Sequence, residues 1–383
     1  MAESVFSKGH RTDVRPARHT ESTYAFLDRC GKSGCDAIRR EIQRWFEHYS
    51  ESHQGALLRR LRADEFGSAF FELYLHELLR RLGLHPLVEP QRWQRRPDFV
   101  CRMADWCLAI EASVVTGESR EAGGRRAVLN VVYDAMNQVP SPDYFFHVEE
   151  CAVKGPEQPS LSAITAFLLE RIQSVDYDEL ALLEQQGLDS LPKWVLESER
   201  IRLVVRPIPK HSARSKAGVR PIGIYPMEGG WVTTRESIRR RLSEKAKKLK
   251  LSGVPLVLAI NLLTKWGSDD DDVLDALYGT ERVLVDVATG KARPSRGRDG
   301  FFVGPKGPIN TRVSAVLVTS VHPWTAARAG IDLWLNPWSK KPLADGVLPF
   351  RVRRITNGRV VVENGLHPGQ LLGLSDTWPE ECD

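Results

Sequence analysis

The chain has 383 residues, of which 42% are hydrophobic and 27% are charged, as in an ordinary globular protein. The polar segment Met1–Thr20 has no apolar core of the signal-peptide type, and no apolar run is long enough to span a bilayer. These features exclude a membrane protein and predict a cytoplasmic one, whose six cysteines are reduced thiols.

The net charge of +5 does not by itself indicate nucleic-acid binding, but the charges are segregated. The segment from Asp134 to Glu199 has 13 acidic and 3 basic residues, whereas Arg202 to Lys250 has 14 basic and 3 acidic ones. The basic segment suits a phosphate backbone, and it could equally be a solvated surface that compensates the acidic segment.

The first 62 residues are predicted to form an arm followed by helices. Met1–Thr23 has no hydrophobic pattern and is expected to be mobile. Asp36–Tyr49 has an apolar stripe at helical spacing, and Gly55–Leu61 adds a short helix. The spacing from Cys30 to Cys35 is too loose, without a second ligand pair, to favour structural zinc.

The segment Ala63–Val114 predicts a long helix and three short strands. Two apolar stripes recur at helical spacing, and Gly83 is a suitable end for a helix. Most sides of this helix are apolar, so we expect it to be buried against a sheet. The segments LHPLVEP, RPDFVCR and WCLAIEAS that follow are rich in strand-forming residues.

Carboxylates interrupt two of these apolar strands. Glu111 shares one strand face with Cys107, Ala109 and Ser113, and Asp98 poses the same problem on the preceding strand. Burying a carboxylate is costly unless it is paired or binds a metal. A divalent cation between Asp98 and Glu111 would relieve their repulsion, although pairing with Arg95 or Arg102 is an alternative.

This order of elements resembles the PD-(D/E)xK nuclease superfamily, which has the restriction-endonuclease-like fold. Pro97-Asp98 resembles the PD, and Glu111-Ala112-Ser113 resembles the (D/E)xK with serine in place of lysine. FELYLHELLRRLG resembles the helix before the motif, which makes Glu72 the family glutamate and Glu65 its rival. The resemblance covers about 50 residues firmly.

The resemblance implies an α/β fold with a mixed central sheet flanked by helices, and catalysis with Mg²⁺ or Mn²⁺ held by Asp98 and Glu111. Ser113 cannot supply the charge of the family's lysine. Lys245, which neighbours the buried stripe of its helix, is the candidate for a relocated catalytic cation, the alternative being a surface lysine.

Two helix–strand pairs could complete this core. One is Arg125–Val139 with DYFFHVEE, and the other is Thr234–Lys250 with the apolar segment Val254–Leu263. If the second pair is used, the core spans about 63–263 with an insertion at about 116–231. Residues 264–383 are then a β-rich C-terminal extension that includes a hairpin turning at Asn357-Gly358.

Two further polar segments have compositions that could suit a binding site. The loop KHSARSKAGVR, with Arg214, Lys216 and Arg220, could clamp a nucleic-acid backbone or could be disordered. The aspartates of Ser268–Asp272 lack calcium-loop spacing and indicate a helix N-terminus instead.

The leading hypothesis is a metal-dependent DNA nuclease, by analogy in restriction, repair or defence. Its catalytic residues would be Glu72, Asp98, Glu111 and Lys245. The alternative is a degenerate nuclease fold that binds nucleic acid or a protein without cleavage, which Ser113 favours. An unrelated hydrolase lacks support because HExxH and GxSxG are absent. A homodimer is compatible with the family, but no interface can be identified from the sequence.

Overall fold

The computed structural model describes residues 3–91, 96–103, 106–117, 120–211, 219–226, 234–249, 253–264, 270–285, 289–356 and 359–379. The chain forms two compact units. The first contains Met1–Asp13, Ser22–Gly117 and Val232–Asp383, and the second contains Val14–Glu21 and Glu118–Trp231.

Four helices precede the first strand, and helices and strands are mixed along the rest of the chain. The helices of the described residues are α1 Thr23–Arg29, α2 Ser33–Glu47, α3 Glu51–Leu61, α4 Phe66–Arg81, α5 Arg120–Asn137, α6 Leu161–Gln173, α7 Tyr177–Glu184, α8 Thr234–Lys248, α9 Asp270–Tyr278 and α10 Pro368–Leu372. The strands are β1 Pro86–Val88, β2 Phe99–Met103, β3 Trp106–Val115, β4 Tyr144–Val153, β5 Trp194–Glu197, β6 Ile201–Pro209, β7 Ile222–Ile224, β8 Leu256–Leu262, β9 Glu281–Val285, β10 Ala292–Arg296, β11 Val303–Gly304, β12 Gly307–Pro308, β13 Ala315–Thr319, β14 Ile331–Leu335, β15 Arg351–Thr356 and β16 Arg359–Glu363.

The first unit is built on an eight-stranded mixed sheet in the order β1-β2-β3-β8-β13-β14-β15-β16. Strands β3, β8 and β13 run parallel, and β1, β2 and β3 are antiparallel neighbours. All seven residues of β8 are buried, as expected for a central strand covered on both faces. The prediction of an α/β fold with a mixed sheet flanked by helices is therefore confirmed.

Helices cover both faces of this sheet because strand residues alternate between two cores. Ile110, Val257 and Leu317 pack in one core with α2, α3 and α4. Ala109 and Leu258 belong to the other core, with α8 and α9. Glu111 and Ser113 have the parity of Ala109, so they lie on the α8 face.

The structure distinguishes between the two helix–strand pairs that the sequence left open. Strand β8 pairs in parallel with β3, with Glu111 opposite Leu258, and α8 packs against both strands. Strand β4 belongs instead to the second unit, in a four-stranded sheet of order β5-β6-β4-β7 that α5, α6 and α7 accompany. The pair that adjoins the motif strand is thus α8 with β8.

The sequence predicts a mobile arm at the N-terminus and a β-rich extension at the C-terminus. In the structure, parts of both segments join the core or the central sheet of the first unit. Val5 and Phe6 are buried in the core, and Arg62 donates hydrogen bonds to the carbonyls of Ser4 and Val5. The expectation that Met1–Thr23 is mobile is therefore wrong for these residues, because two apolar side chains anchor them. Strands β13 to β16 continue the central sheet.

Helix α4 is buried along most of its length, as its apolar residues on several sides predict. Its fully buried Glu77 accepts hydrogen bonds from Arg80 at 2.8 Å and from Arg81 at 2.9 Å, and it lies 3.0 Å from a ring nitrogen of His48. Burial alone would raise the pKa of Glu77, but these partners lower it to about 2.

The free energy of unfolding should fall as the pH drops from about 4.5 to about 2, partly because of Glu77. A carboxyl whose pKa is lower in the folded state stabilises the fold above its unfolded pKa, and this contribution is lost on acidification. We expect up to about 3 kcal/mol from this group. Chemical denaturation across this pH range should show a shallower pH dependence for Glu77→Gln than for wild type. The exposed control Glu51→Gln should behave as wild type, and an unchanged Glu77→Gln profile would contradict this role.

Candidate active site

The antiparallel pairing of β2 with β3 brings the two motif carboxylates together. Phe99 pairs with Ile110, so Asp98, immediately before β2, lies beside the Glu111 end of that register. The backbone N–H of Ala112 donates a 2.6 Å hydrogen bond to Asp98 Oδ2. This hydrogen bond from the backbone of β3 therefore fixes the Asp98 carboxyl next to the segment Glu111-Ala112-Ser113.

The electrostatic environment of Asp98 is unusual for a carboxyl group. Burial and then the neighbouring charge of Glu111 raise its pKa to about 7, and Glu72 acts in the same direction. The ammonium of Lys245 and the N–H of Ala112 oppose this rise. Strongly shifted carboxyl pKa values are typical of functional sites, although structural ion pairs can produce them too.

Glu111 is buried on the α8 face of the sheet and pairs with a lysine from that helix. Lys245 Nζ lies 2.6 Å from Glu111 Oε1, and the two side chains are only 20% and 9% exposed. Glu111 Oε2 is also buried, and no hydrogen-bond donor among the described residues reaches it. One oxygen of Glu111 is thus neutralised, while the other retains its capacity to bind a cation or a proton.

Glu72 reaches the site from α4. The Tyr49 hydroxyl donates a 2.5 Å hydrogen bond to Glu72 Oε1, and Arg60 donates one of 2.6 Å to Oε2. Burial, with the charge of Glu72, raises the pKa of Tyr49. Glu65 has a 64% exposed side chain and pairs with Arg60 at 3.3 Å. Of the two rival glutamates, Glu72 is therefore the one whose charge acts on Asp98.

A second cation contacts Ser113, the serine that stands where the family motif has lysine. The Nε of Arg241 donates a hydrogen bond to Ser113 Oγ, and Arg241 precedes Lys245 by one helical turn on α8. Arg241 is not among the site residues that the sequence predicts. The signal was the spacing of four residues, which places Arg241 and Lys245 on the same helix face.

The donor set limits what metal this site can hold. Among the residues that the structure describes, no group of three or more His, Cys, Asp or Glu side chains could hold a metal ion. Asp98 and Glu111 remain as a pair of hard oxygen donors, one with an unpartnered buried oxygen. Mg²⁺ is commonly bound by one or two carboxylates, with water and phosphate oxygens as its other ligands. The residues present fit such a site.

Of the other sequence candidates, three fall outside the described residues and two lie within them. Arg95, Arg214 and Lys216 fall outside the described residues. Arg220 belongs to the second unit. The pKa of His19 there is lowered mainly by burial and to a smaller extent by the positive charge of Arg220. Arg102 is exposed on β2, so it does not provide the alternative partner for the buried Glu111.

The cysteine and aspartate segments have structural explanations. Cys30 and Cys35 are buried free thiols, and burial followed by the hydrogen bond to Cys30 raises the pKa of Cys35 to about 12. Helix α9 begins at Asp270, which confirms the predicted helix start, and Asp270 pairs with Arg353 at 2.6 Å.

Comparison of the chain with protein-family models, with curated proteins and with solved structures gives no match. In the described ranges, no helix combines the length and apolar character needed to cross a membrane.

Proposed function

We propose that the protein is a metal-dependent nuclease that hydrolyses DNA phosphodiester bonds, built on a divergent restriction-endonuclease-like core. The observation that supports this most strongly is the meeting of Asp98, Glu111 and Lys245 on the α8 face of the sheet. The order α4, β1, β2, β3, α8 and β8 in the first unit agrees with the resemblance.

In this proposal Asp98 and Glu111 hold Mg²⁺, which Mn²⁺ could replace. Bound metal would supply polarisation of the scissile phosphate and activation of the attacking water. Asp98, whose pKa is raised to about 7, is fixed toward this position by the Ala112 N–H, and Glu111 presents its unpartnered oxygen. Glu72 would assist these two carboxylates indirectly, because both of its oxygens already accept hydrogen bonds.

The cations of α8 take the part of the missing motif lysine. A lysine ammonium has three donors, and the Glu111 contact uses one of them. The others can stabilise the negative charge that develops on the phosphate during attack. Ser113 accepts a hydrogen bond from Arg241 Nε, and Nη1 of the same guanidinium lies 3.5 Å from Glu244 Oε2.

A second candidate function is a nuclease-fold protein that binds nucleic acid or a protein partner without cleavage. It is favoured by Ser113, which has no charge of its own. The carboxylates count against it, because two acidic groups near apolar strands weaken a fold that has no use for a metal.

The test is cleavage of plasmid and single-stranded DNA by the purified chain with Mg²⁺, with Mn²⁺ and with EDTA. A nuclease should cut only when metal is present. DNA binding without cutting in either metal would favour the second candidate, and cutting that EDTA does not stop would exclude metal-dependent hydrolysis.

A further inference from the structure

A second feature of the first unit is a two-stranded ribbon apart from the central sheet. Strand β9 pairs antiparallel with β10, from Glu281 opposite Arg296 to Val285 opposite Ala292. All five residues of β9 are exposed, and Val283 and Val285 are 65% and 58% exposed. With Pro294 and Ala292 opposite them, these valines form one apolar face of the ribbon.

The outer part of the ribbon is basic. Lys291 and Arg293 are exposed, and among the described residues neither pairs with an acidic side chain. Arg298 and Lys306, also exposed, follow in the adjoining segment. The ribbon therefore presents positive charge beside exposed apolar side chains.

Two aspartates at the base of the ribbon are neutralised. Asp299 accepts hydrogen bonds from the N–H and hydroxyl of Thr280 at 2.9 and 2.6 Å, and it pairs with Arg239 of α8 at 3.5 Å. Asp275 pairs with Arg296 at 2.8 Å. These contacts fix the base of the ribbon to α8 and α9 and leave its outer cations without compensation from these aspartates.

The attachment to α8 relates the ribbon to the candidate active site. Arg239 at the ribbon base precedes Lys245 by six residues of one helix, a rise of about 9 Å. A polyanion that contacts the ribbon can therefore extend past the α8 cations without leaving the first unit.

We propose that the β9–β10 ribbon is a docking element for duplex DNA, which rests on the proposed nuclease function. The major groove of B-form DNA admits a two-stranded ribbon, whose lysine and arginine side chains can contact phosphates and whose apolar side chains can contact thymine methyl groups. The deep, narrow major groove of RNA duplexes does not admit one. Pairing of a second copy onto β10 is disfavoured by Pro294, which lacks an N–H, and by like charge.

The test is the salt dependence of duplex binding, measured by fluorescence anisotropy in EDTA so that no cleavage occurs. The variant is Lys291→Ala/Arg293→Ala. If both cations contact phosphates, the slope of log affinity against log salt should become shallower by about 1.8. The matched control Lys340→Ala/Lys341→Ala removes two exposed lysines from the loop after β14. It should keep the wild-type slope.

Each outcome separates this proposal from the nuclease proposal. Wild-type affinity and slope in the ribbon variant, an equal loss in the control, or no duplex binding by the wild-type chain would overturn the docking role. A wild-type chain that binds duplex DNA through the ribbon but never cuts it would support docking and refute the nuclease. DNA cleavage by the wild-type chain, together with wild-type duplex binding by the ribbon variant, would support the nuclease and refute the docking role.

Discussion

Replacement of Glu111 with glutamine should lower the rate of metal-dependent DNA cleavage about 10²- to 10³-fold. Glutamine keeps the shape of the side chain but removes the negative charge that would hold the metal and that pairs with Lys245 at 2.6 Å. The loss should appear in the cleavage rate at saturating Mg²⁺, measured by conversion of supercoiled plasmid to open-circular and linear forms.

The matched control for this variant is Glu65→Gln, which neutralises the exposed rival glutamate ahead of α4. It should cleave at the wild-type rate, and circular dichroism should show that both variants are folded. Wild-type cleavage by Glu111→Gln would refute the site, and equal losses in both variants would show that neutralising a glutamate near α4 or β3 acts nonspecifically.

The elements around the motif are predictable because their signals are local. Helical spacing in Phe66–Arg81 and strand alternation in Trp106–Val115 follow from side-chain burial on one element at a time. The conflict of Glu111 with its apolar strand could be identified from the same alternation. Lys245 could be selected because it borders the buried stripe of α8.

The pairing of distant elements could not be predicted in the same way. Both α5 with β4 and α8 with β8 have suitable patterns, and only strand pairing distinguishes them. Sequence periodicity states which face of a strand is buried but not which strand lies beside it. The docking of Val5 and Phe6 into the core could not be predicted either, because two apolar residues in a polar segment carry no periodic signal.

The relation between Ser113 and Arg241 is also a contact between distant elements, separated by 128 residues. From the sequence, serine at the motif position indicates only a lost charge. In the structure its hydroxyl accepts a hydrogen bond from a cation, so the positive charge near this position is supplied by α8. With this contact, the absence of the motif lysine is weaker evidence against DNA cleavage than it is in the sequence alone.

The second large effect is expected for Lys245→Met, which should lower the cleavage rate about 10²-fold or more while duplex binding persists. Methionine keeps the aliphatic stem of the side chain but removes the ammonium that neutralises Glu111. The control is Lys247→Met, an exposed lysine two residues further along α8, which should retain wild-type cleavage. An unpaired buried Glu111 destabilises the fold, so slow cleavage by Lys245→Met has to be separated from unfolding. Lys245→Arg keeps the positive charge, and a thermal melt shows whether each variant is folded.

Comparison with Arg241→Met identifies which cation acts on the phosphate. If Lys245 is the catalytic cation, Arg241→Met should mainly raise KM, because a guanidinium held by Ser113 binds substrate and transition state alike. A fall in kcat for Arg241→Met with near-normal kcat for Lys245→Met would transfer the role to Arg241. In that case the contact from Ser113 would orient the catalytic cation, and Lys245 would serve as the partner of the buried Glu111 carboxylate. Normal kcat in both variants would leave the site without a cation for the developing charge and would refute the proposed mechanism.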